Sequence, residues 1–327
     1  MKIKFKKDIF FSFLVYLIMF SAIIMPWYNN GKYNQDLMVL VVYLNTIFEN
    51  TTILDSFSDN VLIIYLAKSI FSNVSSTTLI FIIHNFSVIL LTLTLKKYLK
   101  PIYVCSIMLF CFFTIFCNQF RLAFSLSFAL IAFMNINKNK NKMIVLFIIS
   151  FLLHFFAGFF IISFFLVETY YKSVNKVKLL ILFLLLSTIS FIYFYVISNP
   201  RFLLYLIPDD SGYISTTFIL IAIALTLLYK SIDQGKKLYV ILILFLVIAS
   251  SPLSNISSRM GELLFLTIPF LSSDAVNNKF IITKSGQAIS FLNKYLYFYL
   301  GLTFFLYRFT NWVILGKIIS PEILINL

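Results

Sequence analysis

Runs of about 20 apolar residues, broken by short polar stretches, recur along nearly the whole chain, and runs of that length predict membrane-spanning helices. The predicted fold class is all-α: a polytopic transmembrane helical bundle of about 9–11 spans, forming a single integral membrane domain over 1–327. The runs fall at 8–26, 77–95, 101–117, 120–136, 143–167, 179–198, 213–229, 238–255, 259–273 and 295–316. The largest polar stretch, 27–60, carries Asp36, Glu49, Asp55 and Asp59 and follows the first span, so it is expected as an extracytoplasmic loop. Segments 37–48 and 61–72 read as amphipathic pieces lying at the interface. No internal repeat and no low-complexity linker is visible.

Composition strengthens this picture. Hydrophobic residues make up 61% of the chain and charged residues 12%, about half the share of a soluble domain. The net charge of +14 does not point to nucleic acid, because the lysines sit in short clusters between apolar spans, as cytoplasmic loops do. Lys2, Lys4, Lys6 and Lys7 precede an apolar run to Pro26. No small-residue cleavage site follows, so this is expected to be an anchored first helix with its N-terminus in the cytoplasm. Cys105, Cys111 and Cys117 recur every six residues, about 120° apart around a helix, and are expected to be buried thiols.

The lysines also test the topology. Lys96, Lys97 and Lys100 are two spans from Lys138, Lys140 and Lys142, and the later clusters at 172–178, 230–237 and 279–284 keep the same parity among themselves. A single apparent span, 143–167, separates Lys142 from Lys172. Either it crosses once against the charge rule, or 143–172 enters and returns, broken near His154 and Gly158. A return of this kind requires a protein-lined or watery cavity at membrane depth. Labelling of cysteines at 172–178 from the outside would sink the returning segment.

The four arginines, Arg121, Arg201, Arg259 and Arg308, all fall at or near the outer face in the returning topology. A guanidinium binds phosphate with two parallel hydrogen bonds, so arginines on one face suggest an anionic, phosphorylated ligand there. Arg121, in CNQFRLAFSLSFAL, opens a short span whose Ser125, Ala129 and Ala132 suit close helix packing. Arg259, in SNISSRMGELLFLTIPFL, repeats the pattern, with Glu262 three residues on as either a site residue or its internal ion-pair partner. Arg201 lies in NPRFLLYLIPDDSG as a third candidate or a plain loop charge, and Arg308 reads as an interface charge. The single histidine of FIISFLLHFFAGFF, His154, is either a core residue or a general base. Asp36, with Tyr43 on the same helical stripe, is the alternative base or a solvated carboxylate. His84, in IFIIHNFSV, has no such context and reads as structural. No cluster has metal-ligand spacing, no phosphate loop or Ser-His-Asp pattern is present, and neither metal nor cofactor is expected.

With these residues located, the chain resembles the EpsG-like family of bacterial polysaccharide polymerases, relatives of the O-antigen (Wzy) polymerases. The resemblance lies in the order of an outer loop with Asp36 and Tyr43, QFRLAFSLSFALIAF, the lysine turn NKNKNK, FIISFLLHFFAGFFIISFF, and a late RMGELLFLTIPF. It is most specific over about 118–165. The family pattern has Gln or a similar polar residue after the arginine, where Leu122 stands here. What the resemblance implies is a metal-independent glycosyltransferase of the bacterial cytoplasmic membrane, serving capsule, exopolysaccharide or O-antigen synthesis. A glycan on undecaprenyl diphosphate is passed to another lipid-linked repeat unit at the outer face. Arg121 and Arg259 are then assigned to the diphosphate, with Arg201, Gln119, Tyr43 and Glu262 at the substrate and His154 or Asp36 as base. A flippase and a chain-length regulator of the same pathway are the implied protein partners. A lipid-linked oligosaccharide flippase, a membrane O-acetyltransferase and a glycosyltransferase using a polyprenyl monophosphate sugar are the competing readings.

Overall fold

Ser75 opens the longest buried helix. Its hydroxyl accepts the backbone N–H of Thr78 at 3.2 Å, an N-cap that satisfies one of the open donors of the first turn. The computed structural model describes residues 2–27, 35–46, 48–50, 52–53, 61–135, 139–154, 157, 240, 254–272 and 291–310. Among these the chain forms α1 (Lys2–Ile24), α2 (Gln35–Thr46), α3 (Leu62–Ile70), α4 (Ser76–Tyr98), α5 (Pro101–Phe110), α6 (Phe120–Met134), α7 (Lys140–Leu153), α8 (Ser254–Leu271) and α9 (Phe291–Phe309). No strand is formed among the described residues.

Asp8–Trp27 and Ser76–Tyr98 are long and apolar enough to cross a membrane. The runs read at 8–26, 77–95, 120–136, 259–273 and 295–316 each coincide with a helix, within a few residues at most ends. Two runs differ. The run at 101–117 is an α-helix only to Phe110 and continues as a π-helical turn over Phe112–Phe116. The run at 143–167 is helical to Leu153, where His154 takes an extended backbone (φ −161°, ψ 108°); beyond it Ala157 is helical and the rest of the run lies outside the described residues. The runs at 179–198 and 213–229, nearly all of 238–255, and Gly158 lie outside the described residues.

The chain divides into two compact units, 1–162 with 301–327, and 163–300. In the first, α1 packs on α4 and α5, and α4 packs on α6, which pairs with α7. The apolar core also takes in several polar side chains, and large apolar side chains face outward as well. Ser106, Ser125 and Ser150 are 0% exposed, whereas Phe13 of α1 is 65%, Phe86 of α4 is 54% and Ile148 of α7 is 53% exposed. Several buried hydroxyls donate to the carbonyl four residues back on their own helix, as those of Ser87, Thr92, Ser106 and Ser127 do at 2.6 to 2.9 Å. These four hydroxyls are thereby satisfied within an apolar setting.

Segment α2 departs from the amphipathic reading, whereas α3 keeps it, with Lys68 and Ser69 near its end. Their inner faces share one core with α4: Leu37, Leu40 and Leu44 of α2 and Ile64 of α3 meet Leu79, Ile80 and Ile83. Their outer faces are apolar as well, with Met38, Val39 and Val42 exposed on α2 and Leu66 and Ile70 on α3.

The second half of α9 closes the first unit. Gly301 lets it meet α5 backbone to backbone: a Cβ at Gly301 would overlap the carbonyl oxygen of Ser106 and stand 3.0 Å from its Cα. Phe304 then stacks on Phe110, with ring centroids 4.2 Å apart. In the second unit, the Tyr297 hydroxyl donates to the Phe265 carbonyl at 2.7 Å and the two rings stack.

Candidate functional site

The π-helical turn sets up the first helical turn of α6. Cys117 N–H bonds the Phe112 carbonyl at 3.0 Å and Gln119 N–H bonds the Thr114 carbonyl at 2.7 Å, both reaching five residues back. π turns of this kind occur often at functional sites. Phe112 and Phe113 hold the turn against Phe305 of α9. The Phe116 carbonyl meets a side chain instead, since His84 Nε2 lies 3.0 Å away.

His84 is fully buried with both ring nitrogens engaged. Trp27 Nε1–H donates to Nδ1 at 3.2 Å. An indole nitrogen only donates and a carbonyl only accepts. The ring is therefore the neutral Nε2–H tautomer, donating to Phe116 and accepting from Trp27. Sequence reasoning read His84 as structural and did not find its partners. The available signal was an indole and an imidazole in apolar runs, since both demand hydrogen-bond partners when buried.

Phe120, the first residue of α6, lies edge-on to His84 at 5.7 Å. His84 is the ninth residue of α4, so the start of α6 lies about 12 Å along α4 from Ser76 at roughly 1.5 Å per residue. The α5–α6 reversal is thus recessed, and the core that α2 and α3 share with α4 takes in Phe120 beside it. Gln119 is half-buried at the N-cap position, with no side-chain cap bond to the helix. Arg121 is half-buried in the first turn, which carries no acidic residue. The positive end of the α6 dipole and a guanidinium therefore stand together, an arrangement that favours an anion.

One turn further, Ser125 joins α6 to the end of α7. Its hydroxyl donates to the Ser150 carbonyl at 2.6 Å, and the Ser150 hydroxyl donates back to the Ser125 carbonyl at 3.0 Å. The His154 carbonyl lies 3.4 Å from the same Ser125 hydroxyl. These links bring Arg121 and His154 to the same end of the α6–α7 pair, His154 half-buried where the helix stops. Sequence reasoning found Ser125 as a small packing residue. It did not see the reciprocal bond with Ser150.

The remaining candidates are placed as follows. Tyr43 is 7% exposed and belongs to the core that includes Phe120. Asp36 lies in the first turn of α2, its side chain outside the described residues. Arg308 ends α9, its guanidinium 4.7 Å over the Phe304 ring. In the second unit, Arg259 lies on α8, its side chain outside the described residues, and Glu262, 1% exposed, follows three residues later. Arg201 lies outside the described residues. The three cysteines are buried free thiols, and Cys105 Sγ donates to the Phe11 carbonyl at 3.2 Å.

No family model, curated protein or solved structure matches this chain.

Proposed function

We propose that the chain is a multi-pass enzyme of the bacterial cytoplasmic membrane that polymerises lipid-linked polysaccharide repeat units. The observation that carries this reading is the place of Arg121. It lies in the first turn of α6, about 12 Å along α4 from that helix's outer end. If α4 crosses the bilayer, its 23 residues match the hydrocarbon core of about 30 Å. Arg121 then sits below the outer surface, where a charge costs roughly 2.5–3.5 kcal/mol on insertion scales and is usually functional. The exposed phenylalanines and isoleucines of α1, α4 and α7, with serines turned inward, support the lipid setting.

In this reading the leaving group is a lipid diphosphate. The guanidinium and the positive end of α6 stabilise the charge that develops as the glycosidic bond to the diphosphate breaks. Gln119, two residues before Arg121 at the N-cap of α6, contributes an amide. His154 takes the proton of the attacking sugar hydroxyl, and Asp36 is the alternative base. The end of α7 at His154 supports the returning path, one of the two that the lysine parity leaves open. In the second unit, Arg259 is the second candidate cation, with Glu262 beside it in sequence.

Deletion of the gene, with the length of the surface glycan as readout, tests the reading. Single lipid-linked repeats that reach the surface without polymer are expected. Complete absence of surface glycan would favour a flippase instead, and glycan of normal length would end the polymerase assignment.

A further inference from the structure

We propose that His84 is the positioning residue for Arg121, a neutral clamp that fixes the recessed turn to α1 and α4. The proposal rests on the reading of Arg121 given above. The clamp itself rests on geometry. The amides of Cys117, Asn118 and Gln119 all bond back into the π turn, to the carbonyls of Phe112 and Thr114. The Phe116 carbonyl instead takes the Nε2–H of His84. The same imidazole lies edge-on to Phe120, the residue before Arg121. One ring therefore touches both ends of the four-residue step from the π turn into α6.

Trp27 makes this arrangement one-handed. Its N–H occupies Nδ1, so the proton stays on Nε2 and points at Phe116. The indole is itself held edge-on by Phe81, one turn earlier on α4, at 5.1 Å. With both nitrogens used, His84 neither donates a proton to substrate nor accepts one from it. Its work is to keep the first turn of α6 at one depth and one rotation. Reacting groups tolerate little misplacement: about 1 Å costs on the order of 100-fold in rate.

The test uses the full-length protein in its native membrane, with two readouts. The first is polymer length at matched protein abundance. The second is the rate at which a membrane-impermeant maleimide labels Asn118→Cys, with the three native cysteines replaced by alanine. Asn118 is exposed in the turn and has no assigned role in the chemistry. His84→Leu is expected to lower polymer by about 10- to 100-fold and to change the labelling rate severalfold. His84→Gln is expected to restore both readouts, because its amide donates to Phe116 and accepts from Trp27. Trp27→Phe keeps a ring against Phe81 but frees Nδ1, and is expected to fall between the two.

Polymer and labelling unchanged in His84→Leu would overturn the clamp, and so would a His84→Gln variant as defective as His84→Leu. Should His84→Leu fail to accumulate, an unchanged Trp27→Phe would overturn it as well. Failure of the underlying reading looks different. If Arg121→Lys makes normal polymer while His84→Leu still alters labelling, the clamp stands and the polymerase role of Arg121 falls.

Discussion

The two ends of α5 reverse the chain in different ways. At its start the reversal is made by two extended residues, Leu99 and Lys100, and by Pro101 at the first helical position. Lysines surround this joint: Lys96 lies 3.7 Å over the Tyr16 ring and Lys97 lies 5.5 Å over Tyr98. At the other end the reversal is a π turn with no lysine, one arginine and a buried imidazole on its carbonyl. The first joint closes on backbone bonds, Leu99 N–H to the Leu95 carbonyl and Tyr103 N–H to the Lys100 carbonyl, with Leu99 itself buried. The second joint satisfies a backbone group with a buried side chain, and that is the pattern of a turn whose exact place matters.

Substitutions at these two joints and along the helices between them sharpen or break the contrast. The largest effect is expected at Arg121. Arg121→Lys keeps the charge but loses the planar fork, and should reduce polymer by about 100-fold while single repeats persist, in line with the loss of one preorganised donor. Normal polymer length would remove the distinction between the joints. Next comes Gly301→Ala, which forces a methyl into the Ser106 backbone of α5 between them. It should cost about 1–3 kcal/mol in thermal unfolding in detergent, the usual range for overpacking. An unchanged melting temperature would refute the close backbone contact.

Ser125→Ala and Ser150→Ala each remove one half of a reciprocal bond. Each should destabilise by about 0.6 kcal/mol, the mean for bonds between membrane helices, and a double-mutant cycle should show them coupled. Strict additivity would mean that the two hydroxyls do not meet. The smallest effect is expected from alanine at Lys96, Lys97 and Lys100 together. Polymer at matched abundance should not change, and any loss of stability should stay within about 1–2 kcal/mol, that of two exposed cation–π contacts. A defect as deep as that of Arg121→Lys would show that the lysines at this joint do more than flank it.

Helix positions were legible where apolar runs stand between polar stops. Run 77–95 became Ser76–Tyr98 and run 120–136 became Phe120–Met134. The π turn was not legible, because 101–117 is apolar throughout and hydropathy does not distinguish a wide turn from a narrow one. The end of α7 at His154 was visible only through lysine parity, since no Gly or Pro stands before Gly158. Arg121 was recognisable as the opening of a short helix. Its support was hidden in long-range pairings, with His84 bonded to residues 57 and 32 positions away. Tyr43 shows the reverse error: its place in the stretch 27–60, on one stripe with Asp36, suggested an outer-loop position, and packing with α4 and Phe120 puts it in the core.

If the helices cross a bilayer as proposed, the shortness of α5 has a consequence for the lipid around them. In a bilayer, a pair of helices that stops about 12 Å short would normally draw the membrane thin or tilt to compensate. Here Ile102 through Phe110 are all buried, so lipid does not meet α5. The mismatch is held inside the protein, between α4 and α5, and not at the annulus. Acyl-chain length should therefore matter little to this reversal, because what lies above it is the apolar surface of α2 and α3.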